Sequence, residues 1–169
     1  MARIGVAAVA ALVFAMALSV HVAAALGVDI EGRFPRVWWL QGAAIVPLVL
    51  AVMLSFRGYG ARPRLREVAA MLPAWAWAAI AAALLYAIGA LVWLAPATGA
   101  GDPMVRGGAF FFNDHGVIRP VSPEAFRAER AAVLRLYSAV WLYLTLAATL
   151  LALAARPPPQ PVPSADATV

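Results

Sequence analysis

The residue types with the clearest chemical potential stand together at Asn113, Asp114 and His115, just before Gly116. An acid beside a histidine can exchange a proton or supply ligands to a metal ion. A zinc site needs three or four ligands, however, and the sequence has no cysteine and only one other histidine, His21. Since Asn, Asp and Gly favour turns, we interpret this segment as a turn and expect no metal.

A second set of polar side chains lies inside long apolar stretches and comprises His21, Gln41, Tyr86 and Tyr137. These residues can line a shallow pocket for a ligand, although polar groups near a membrane interface are also tolerated without any function. We favour the second interpretation and keep the pocket as the alternative. A haem between helices usually needs two facing histidines, and His21 is the single histidine in these stretches, so we expect no cofactor.

Catalysis by a serine or a thiol is not indicated either. Ser122 and Ser138 are not part of a G-x-S-x-G motif, and no phosphate-binding loop or dinucleotide motif is present in the sequence. The absence of cysteine excludes thiol catalysis and iron–sulfur clusters. The sequence therefore predicts a protein without enzymatic activity.

The elements that position these residues follow from the composition. Of the 169 residues, 64% are hydrophobic and 12% are charged, whereas soluble domains are about 45–50% apolar and about 25% charged. This excess of apolar residues excludes a soluble domain and a disordered chain, and it indicates an integral membrane protein. The net charge is +5, but the arginines lie in short clusters beside apolar stretches, which suits lipid headgroups and not nucleic acid.

Four apolar stretches are long enough to cross a bilayer, since each has about 20 residues or more. They cover residues 4–28, 37–56, 68–94 and 136–155, and none contains Asp, Glu, Lys or Arg. We predict an all-α integral membrane protein, with these four transmembrane helices in an antiparallel bundle over residues 1–156. Residues 157–169 are rich in proline and are predicted to form a disordered cytoplasmic tail.

The first stretch has two interpretations, because Arg3 and the apolar run behind it also resemble a secretory signal that ends at Ala23–Ala25. The apolar run from Ile4 to Val20 is longer than that of an ordinary signal. We therefore favour a retained transmembrane helix and keep a cleaved signal peptide as the alternative.

Small residues predict where the helices pack, since helices in lipid associate through close contacts of small side chains. The first stretch has them at intervals of four, at Ala7, Ala11, Ala15, Ser19 and Ala23. The fourth stretch has Ser138, Thr145, Thr149 and Ala152 on one face. Pro47 and Pro73 are expected to bend the second and third helices.

The loop between the second and third stretches determines the predicted orientation. It contains four arginines in a short segment, Arg57, Arg62, Arg64 and Arg66. Short arginine-rich loops stay on the cytoplasmic side, where they also contact anionic lipid headgroups. Both termini are then cytoplasmic. Since the chain is rich in Ala and Arg and lacks Lys, we predict a multi-pass protein of a bacterial cytoplasmic (inner) membrane.

Residues 95–135 form the long outer loop, on the side opposite the arginine-rich loop. An apolar run on each side of a turn predicts a small hairpin-like structure here. The residues of its first half are Phe110, Phe111, Phe112, Asn113, Asp114 and His115. Ser122, Pro123 and Glu124 are typical of a helix start, so the fourth helix is expected to extend outward beyond the membrane.

One pattern of residues spans this loop and the helix behind it. It combines an Asn-x-His-Gly turn, a Val-Ser-x-Glu helix start and an Arg-x-aromatic-Ser segment. Its members are Asn113, His115, Gly116, Val121, Ser122, Glu124, Arg135, Tyr137, Ser138 and Trp141. This pattern resembles one in small bacterial multi-span membrane proteins of unknown role, and the resemblance implies a similar layout and no particular activity.

Together these expectations favour a non-enzymatic accessory or scaffold subunit that presents its outer loop to a partner. The partner is expected to be another membrane protein or a second copy of the chain, in addition to membrane lipids. The alternative is a membrane binding module or sensor for a lipid or a hydrophobic small molecule, in the pocket suggested by His21, Gln41, Tyr86 and Tyr137.

Overall fold

The computed structural model describes residues 1–57, 65–94 and 101–154, and these residues are mostly helical. In chain order the elements are α1 (Ala2–Ala25), α2 (Ile30–Arg33), a 3₁₀ helix (Pro35–Trp38), α3 (Trp39–Phe56), α4 (Leu65–Ala70), α5 (Ala74–Leu94), β1 (Asp102–Arg106), β2 (Ala109–Asp114), β3 (Val117–Pro120) and α6 (Pro123–Ala154). Arg62, Arg64 and the predicted tail over residues 157–169 lie outside the described residues.

Four helical segments are long and apolar enough to cross a membrane, as the sequence predicts. They are α1, the 3₁₀ helix together with α3, α5 and finally α6. Helix α6 has 32 residues, which corresponds to about 48 Å at the rise of an α-helix. The hydrocarbon core of a bilayer is only about 30 Å thick, so α6 is long enough to cross it and still project from one face.

Helix α6 forms the centre of the bundle, because α1, α3 and α5 all pack against it. Its buried face includes Leu134, Trp141 and Thr145, of which none is more than 1% exposed. Trp141 belongs to the same core cluster as Val13 of α1 and Leu40 of α3. The faces of α1, α3 and α5 that point away from α6 carry many exposed aliphatic side chains, a pattern typical of contact with an apolar surrounding.

Alanine side chains allow α1 and α6 to approach each other closely. Ala10 of α1 and Ala148 of α6 are fully buried in one cluster, and Ala152 is 2% exposed there. Further along α1, Ala17 is fully buried as well. Helices packed through such small residues are stabilised by backbone proximity and van der Waals contact, which is the main attraction available in an apolar surrounding.

The face of α1 that meets α6 differs from the predicted stripe. Ala11, Ala15 and Ser19 are exposed, so the prediction of a strict interval of four is wrong for this helix. The buried positions are Ala7, Ala10, Val13, Ala17, His21 and Ala24. Because an α-helix has 3.6 residues per turn, an interval of four rotates away from a fixed partner, whereas mixed intervals of three and four remain on it.

Pro73 divides the predicted third span into two helices. Helix α4 ends at Ala70 and α5 begins at Ala74, so the continuous helix predicted over residues 68–94 begins later. Proline lacks a backbone N–H and its ring clashes with the preceding turn, which explains the interruption. Pro47, in contrast, lies inside α3 without ending it.

A three-stranded antiparallel sheet precedes α6, with the strand order β1-β2-β3. The predicted hairpin corresponds to β2 and β3, and β1 adds a third strand that the sequence prediction lacked. Both connections have two residues with positive φ, Gly107–Gly108 and His115–Gly116. Positive φ at both positions is the type I′ geometry that matches the twist of paired strands, and it explains why glycine occurs in each turn.

The sheet is attached to the first turns of α6. The Phe110 ring lies 4.8 Å from the Phe126 ring, measured between centroids, and Phe112 is buried on the same side of β2. The Ser122 hydroxyl accepts a hydrogen bond from the Ala125 N–H at 3.1 Å. This cap satisfies one of the free amides at the helix start, and α6 begins where the sequence predicts.

Replacement of Ala10 by leucine is expected to destabilise the bundle by about 1–3 kcal/mol, because the larger side chain must fit into a closely packed contact. Ala11→Leu is the matched control, since Ala11 is exposed on the same helix and the added side chain meets no neighbour. Thermal unfolding in a mild detergent measures the difference. Equal losses of stability in the two variants would contradict the observed contact face.

Candidate functional site

His21 joins three helices through its two ring nitrogens. Its Nδ1 lies 2.9 Å from the Ser138 Oγ of α6, and its Nε2 lies 2.6 Å from the Tyr86 hydroxyl of α5. His21 is 7% exposed and Ser138 is fully buried. The three side chains therefore form a polar cluster, the His21 cluster, which reaches from the buried Ser138 to the half-exposed Tyr86.

One proton arrangement satisfies the His21 cluster without any charge. The Ser138 hydroxyl donates to the Arg135 carbonyl oxygen at 3.0 Å, so the Ser138 Oγ is left to accept from the Nδ1–H of His21. The Nε2 of His21 then accepts from the Tyr86 hydroxyl. A neutral imidazole has one donor and one acceptor, which this arrangement uses completely.

The His21 cluster is suited to holding helices together. A serine hydrogen-bonded to a histidine is the basis of many nucleophilic sites, but the Ser138 side chain is closed off from any substrate by its burial. Hydrogen bonds between helices in an apolar surrounding each contribute modest stability. The cluster connects α5 to both α1 and α6, and α5 has few other buried residues.

The predicted pocket residues separate into different environments. The structure brings His21 and Tyr86 together, and it adds Ser138, which the sequence analysis did not connect to them. Gln41 is exposed on α3. Tyr137 instead packs edge-on against Trp38, with ring centroids 5.2 Å apart. In the sequence, His21 and Ser138 both lie toward the predicted outer end of their apolar stretches. This shared depth is the signal that could have indicated their contact.

The Asn113–Gly116 segment forms the turn between β2 and β3, as its composition predicts. The Asn113 Oδ1 accepts a hydrogen bond from the Gly116 N–H at 2.9 Å. One Asp114 carboxylate oxygen lies 2.9 Å from the His115 Nδ1, and the other accepts from the Arg119 Nη2 at 2.7 Å. The hydrogen bond with His115, supported by the positive charge of Arg119, holds the pKa of Asp114 below its ordinary value.

The three phenylalanines of β2 face opposite sides of the sheet, because side chains alternate along a strand. Phe110 and Phe112 face α6. Phe111 faces the other way, and its pairing partners are Met104 on β1 and Pro120 on β3. Directly paired residues share a face, so these three side chains lie together on the side of the sheet away from α6.

A cleft of about 350 Å³, the outer cleft, lies between the sheet and α6. Its polar side includes Asp102, Asp114 and Glu129, and its apolar side includes Val133, Leu136 and Tyr137. Within residues 1–57, 65–94 and 101–154, no group of three His, Cys, Asp or Glu side chains is placed to hold a metal ion. Glu129 and Asp102 are site residues that the sequence analysis missed.

The arginines occupy two kinds of position. Arg57 and Arg66, two of the predicted headgroup contacts, are exposed. Arg130 is instead 16% exposed, and its Nε lies 3.5 Å from Asp29 and 3.3 Å from Glu31. These ion pairs connect α6 to the segment between α1 and α3.

Comparisons with models of protein families, with curated proteins and with solved structures find no match. The geometry of the His21 cluster, the sheet and the outer cleft therefore carries the functional argument.

Tyr86→Phe is expected to destabilise the bundle by about 0.5–1.5 kcal/mol, because it removes the hydrogen bond between α5 and His21 and leaves the ring in place. The control is Tyr143→Phe, which removes a hydroxyl from α6 without a hydrogen bond to any described residue. Thermal unfolding of both variants in the same detergent gives the comparison. The link is refuted if Tyr86→Phe is no less stable than the control.

The Asp114 contacts are expected to weaken in acid. Since the folded pKa is lowered, the ionised carboxylate stabilises the turn at pH values above the ordinary pKa of about 3.9. That stabilisation is lost as the pH falls from this value through the folded pKa. An NMR titration of the Asp114 carboxyl carbon measures the midpoint, which should lie below that of the same group in Arg119→Gln. Identical midpoints would show that Arg119 does not contribute.

Proposed function

We propose that this chain is a non-enzymatic membrane protein of the bacterial inner membrane that acts as an accessory subunit. Its four apolar helices cross the bilayer, and its outer sheet binds a partner membrane protein. The observation that carries the proposal is the apolar row on the face of the sheet that the described residues leave uncovered.

The free face of the sheet, here called the outer sheet face, has an apolar row of Phe111 with its paired neighbours Met104 and Pro120. The other side chains on this face are those of Asp102, Arg106, Ala109, Asn113 and Ile118, so five of the eight are apolar. Ile118 is 42% exposed on the edge strand. A sheet face that met only water would carry mostly polar residues, so the apolar row favours a partner surface.

The edge of the sheet supports the same proposal. Every residue of β3 is exposed, and β3 pairs with β2 on one side only. An edge strand presents backbone donors and acceptors that can pair with a strand from another chain. A partner that covers the outer sheet face can therefore also satisfy the edge of β3.

The attachment of the sheet supports a role in presentation. The sheet packs on α6 through Phe110 and Phe126, and α6 continues without a break into the bundle. A partner bound to the sheet is therefore held at a defined position relative to the spans. The arginine-rich loop precedes α5 and the sheet follows it, so the two lie on opposite sides of a membrane that α5 crosses, with the sheet outside the cytoplasm.

Ile118→Asp is expected to reduce recovery of the partner complex by tenfold or more after gentle detergent extraction, because it places a charge in an apolar contact. Val117→Asp is the control, since Val117 is 60% exposed on the same strand but pairs with Asp114 on the opposite face. Native mass spectrometry of the purified material identifies the complex and its stoichiometry.

Three outcomes would count against this function. The wild-type chain would purify as a monomer without a partner, or the two variants would lose the complex equally. A third contrary outcome is loss of monodispersity in Ile118→Asp alone, which would assign the residue to folding.

A further inference from the structure

Glu129 is a buried acid whose Oε1 has no hydrogen-bond partner among the described residues. The residue is only 5% exposed, and this oxygen is itself buried. A carboxylate removed from water in this way is strongly disfavoured unless a cation or hydrogen-bond donor approaches it. Glu129 also lines the outer cleft, so this buried side chain borders space that a ligand can enter.

The two arginines close to Glu129 in the sequence or at the outer cleft interact with other carboxylates. Arg130 follows Glu129 in the chain, but its Nε lies 3.5 Å from Asp29 and 3.3 Å from Glu31, in ion pairs without hydrogen-bond geometry. Arg119 donates to Asp114, on another wall of the outer cleft. Neither arginine is therefore paired with the Glu129 carboxyl group, and burial raises the pKa of that group.

The other residues that line the outer cleft indicate which kind of cation fits beside Glu129. Asp102, at the first position of β1, lies at the rim of the outer cleft, while Val133, Leu136 and Tyr137 form an apolar side. The acids are not grouped as ligands of a metal ion within the described ranges. A volume of about 350 Å³ is at the lower end of the range for small-molecule sites. An organic cation with a short apolar body matches both sides.

We propose that the outer cleft binds a small organic cation, whose ammonium or guanidinium group pairs with Glu129. Its apolar body lies against Val133, Leu136 and the Tyr137 ring, which can also attract the positive charge through its face. This site is separate from the outer sheet face, so it does not depend on the proposed partner. The cation is either a free amine or the headgroup of an aminophospholipid, which share the same ammonium chemistry.

The test measures binding of butylammonium and butylguanidinium to the full chain by calorimetry. The chain is placed in phosphatidylglycerol nanodiscs, which contain no cationic headgroup, and empty nanodiscs give the background. We expect saturable binding of at least one of these cations at one equivalent and none of the neutral analogue butan-1-ol. Glu129→Gln should weaken the binding at least tenfold, since the substitution removes the charge and keeps the shape.

Two further variants keep the result interpretable. Glu124→Gln removes an exposed acid from the first turn of the same helix and should change the affinity less than twofold. Asp102→Asn alters an exposed residue of the outer cleft, so it tests the site without disturbing the bundle, and it should weaken binding several-fold. Hydrogen exchange of α6 verifies that Glu129→Gln is folded.

The two sources of the cation give different results in phosphatidylethanolamine nanodiscs. A lipid headgroup that occupies the outer cleft lowers the apparent affinity for butylammonium, whereas a site for free amines leaves it unchanged. Absence of saturable binding of both cations in phosphatidylglycerol would overturn the proposal, as would equal binding of butan-1-ol. It would also be overturned if Asp102→Asn and folded Glu129→Gln both bound as tightly as the wild type.

Discussion

The close packing of helices against α6 is the contact on which the other features depend. Helices α1, α3 and α5 share α6 as their common neighbour. Ala148 and Ala152 allow α1 to approach, while the Trp141 side chain fills the space between α1 and α3. The sheet packs on the first turns of the same helix. The packing inside the bundle therefore also determines where the outer sheet face and the outer cleft lie.

Polar groups in the chain belong to two energetic classes. In the His21 cluster, one arrangement of protons satisfies every hydrogen bond without a charge. Such a group stabilises helix association and requires nothing from outside. Glu129 is the opposite case, because burial removes its water without supplying a hydrogen-bond partner for its Oε1 among the described residues. The contrast explains why the outer cleft, and not the histidine between the helices, is the better place for ligand chemistry.

The sequence predicts the helices because long apolar stretches have few alternative structures, and it predicts the start of α6 because Ser122 and Pro123 are local signals. The Gly107–Gly108 turn is also a local signal. The strand β1 in front of it was nevertheless not predicted, because Asp102 and Pro103 are residue types that favour loops. Contacts between distant residues are a different problem. Nothing in the local sequence of Glu129 distinguishes it from the exposed Glu124, because its burial depends on how the sheet packs onto α6.

The continuity of α6 has a mechanical consequence. Arg130 ties the helix to the segment between α1 and α3, about 6 Å along the axis from Phe126 and about 36 Å from Ala154. Because α6 has no break between the bundle and the turns that carry the sheet, the position of the sheet follows from the position of the whole helix.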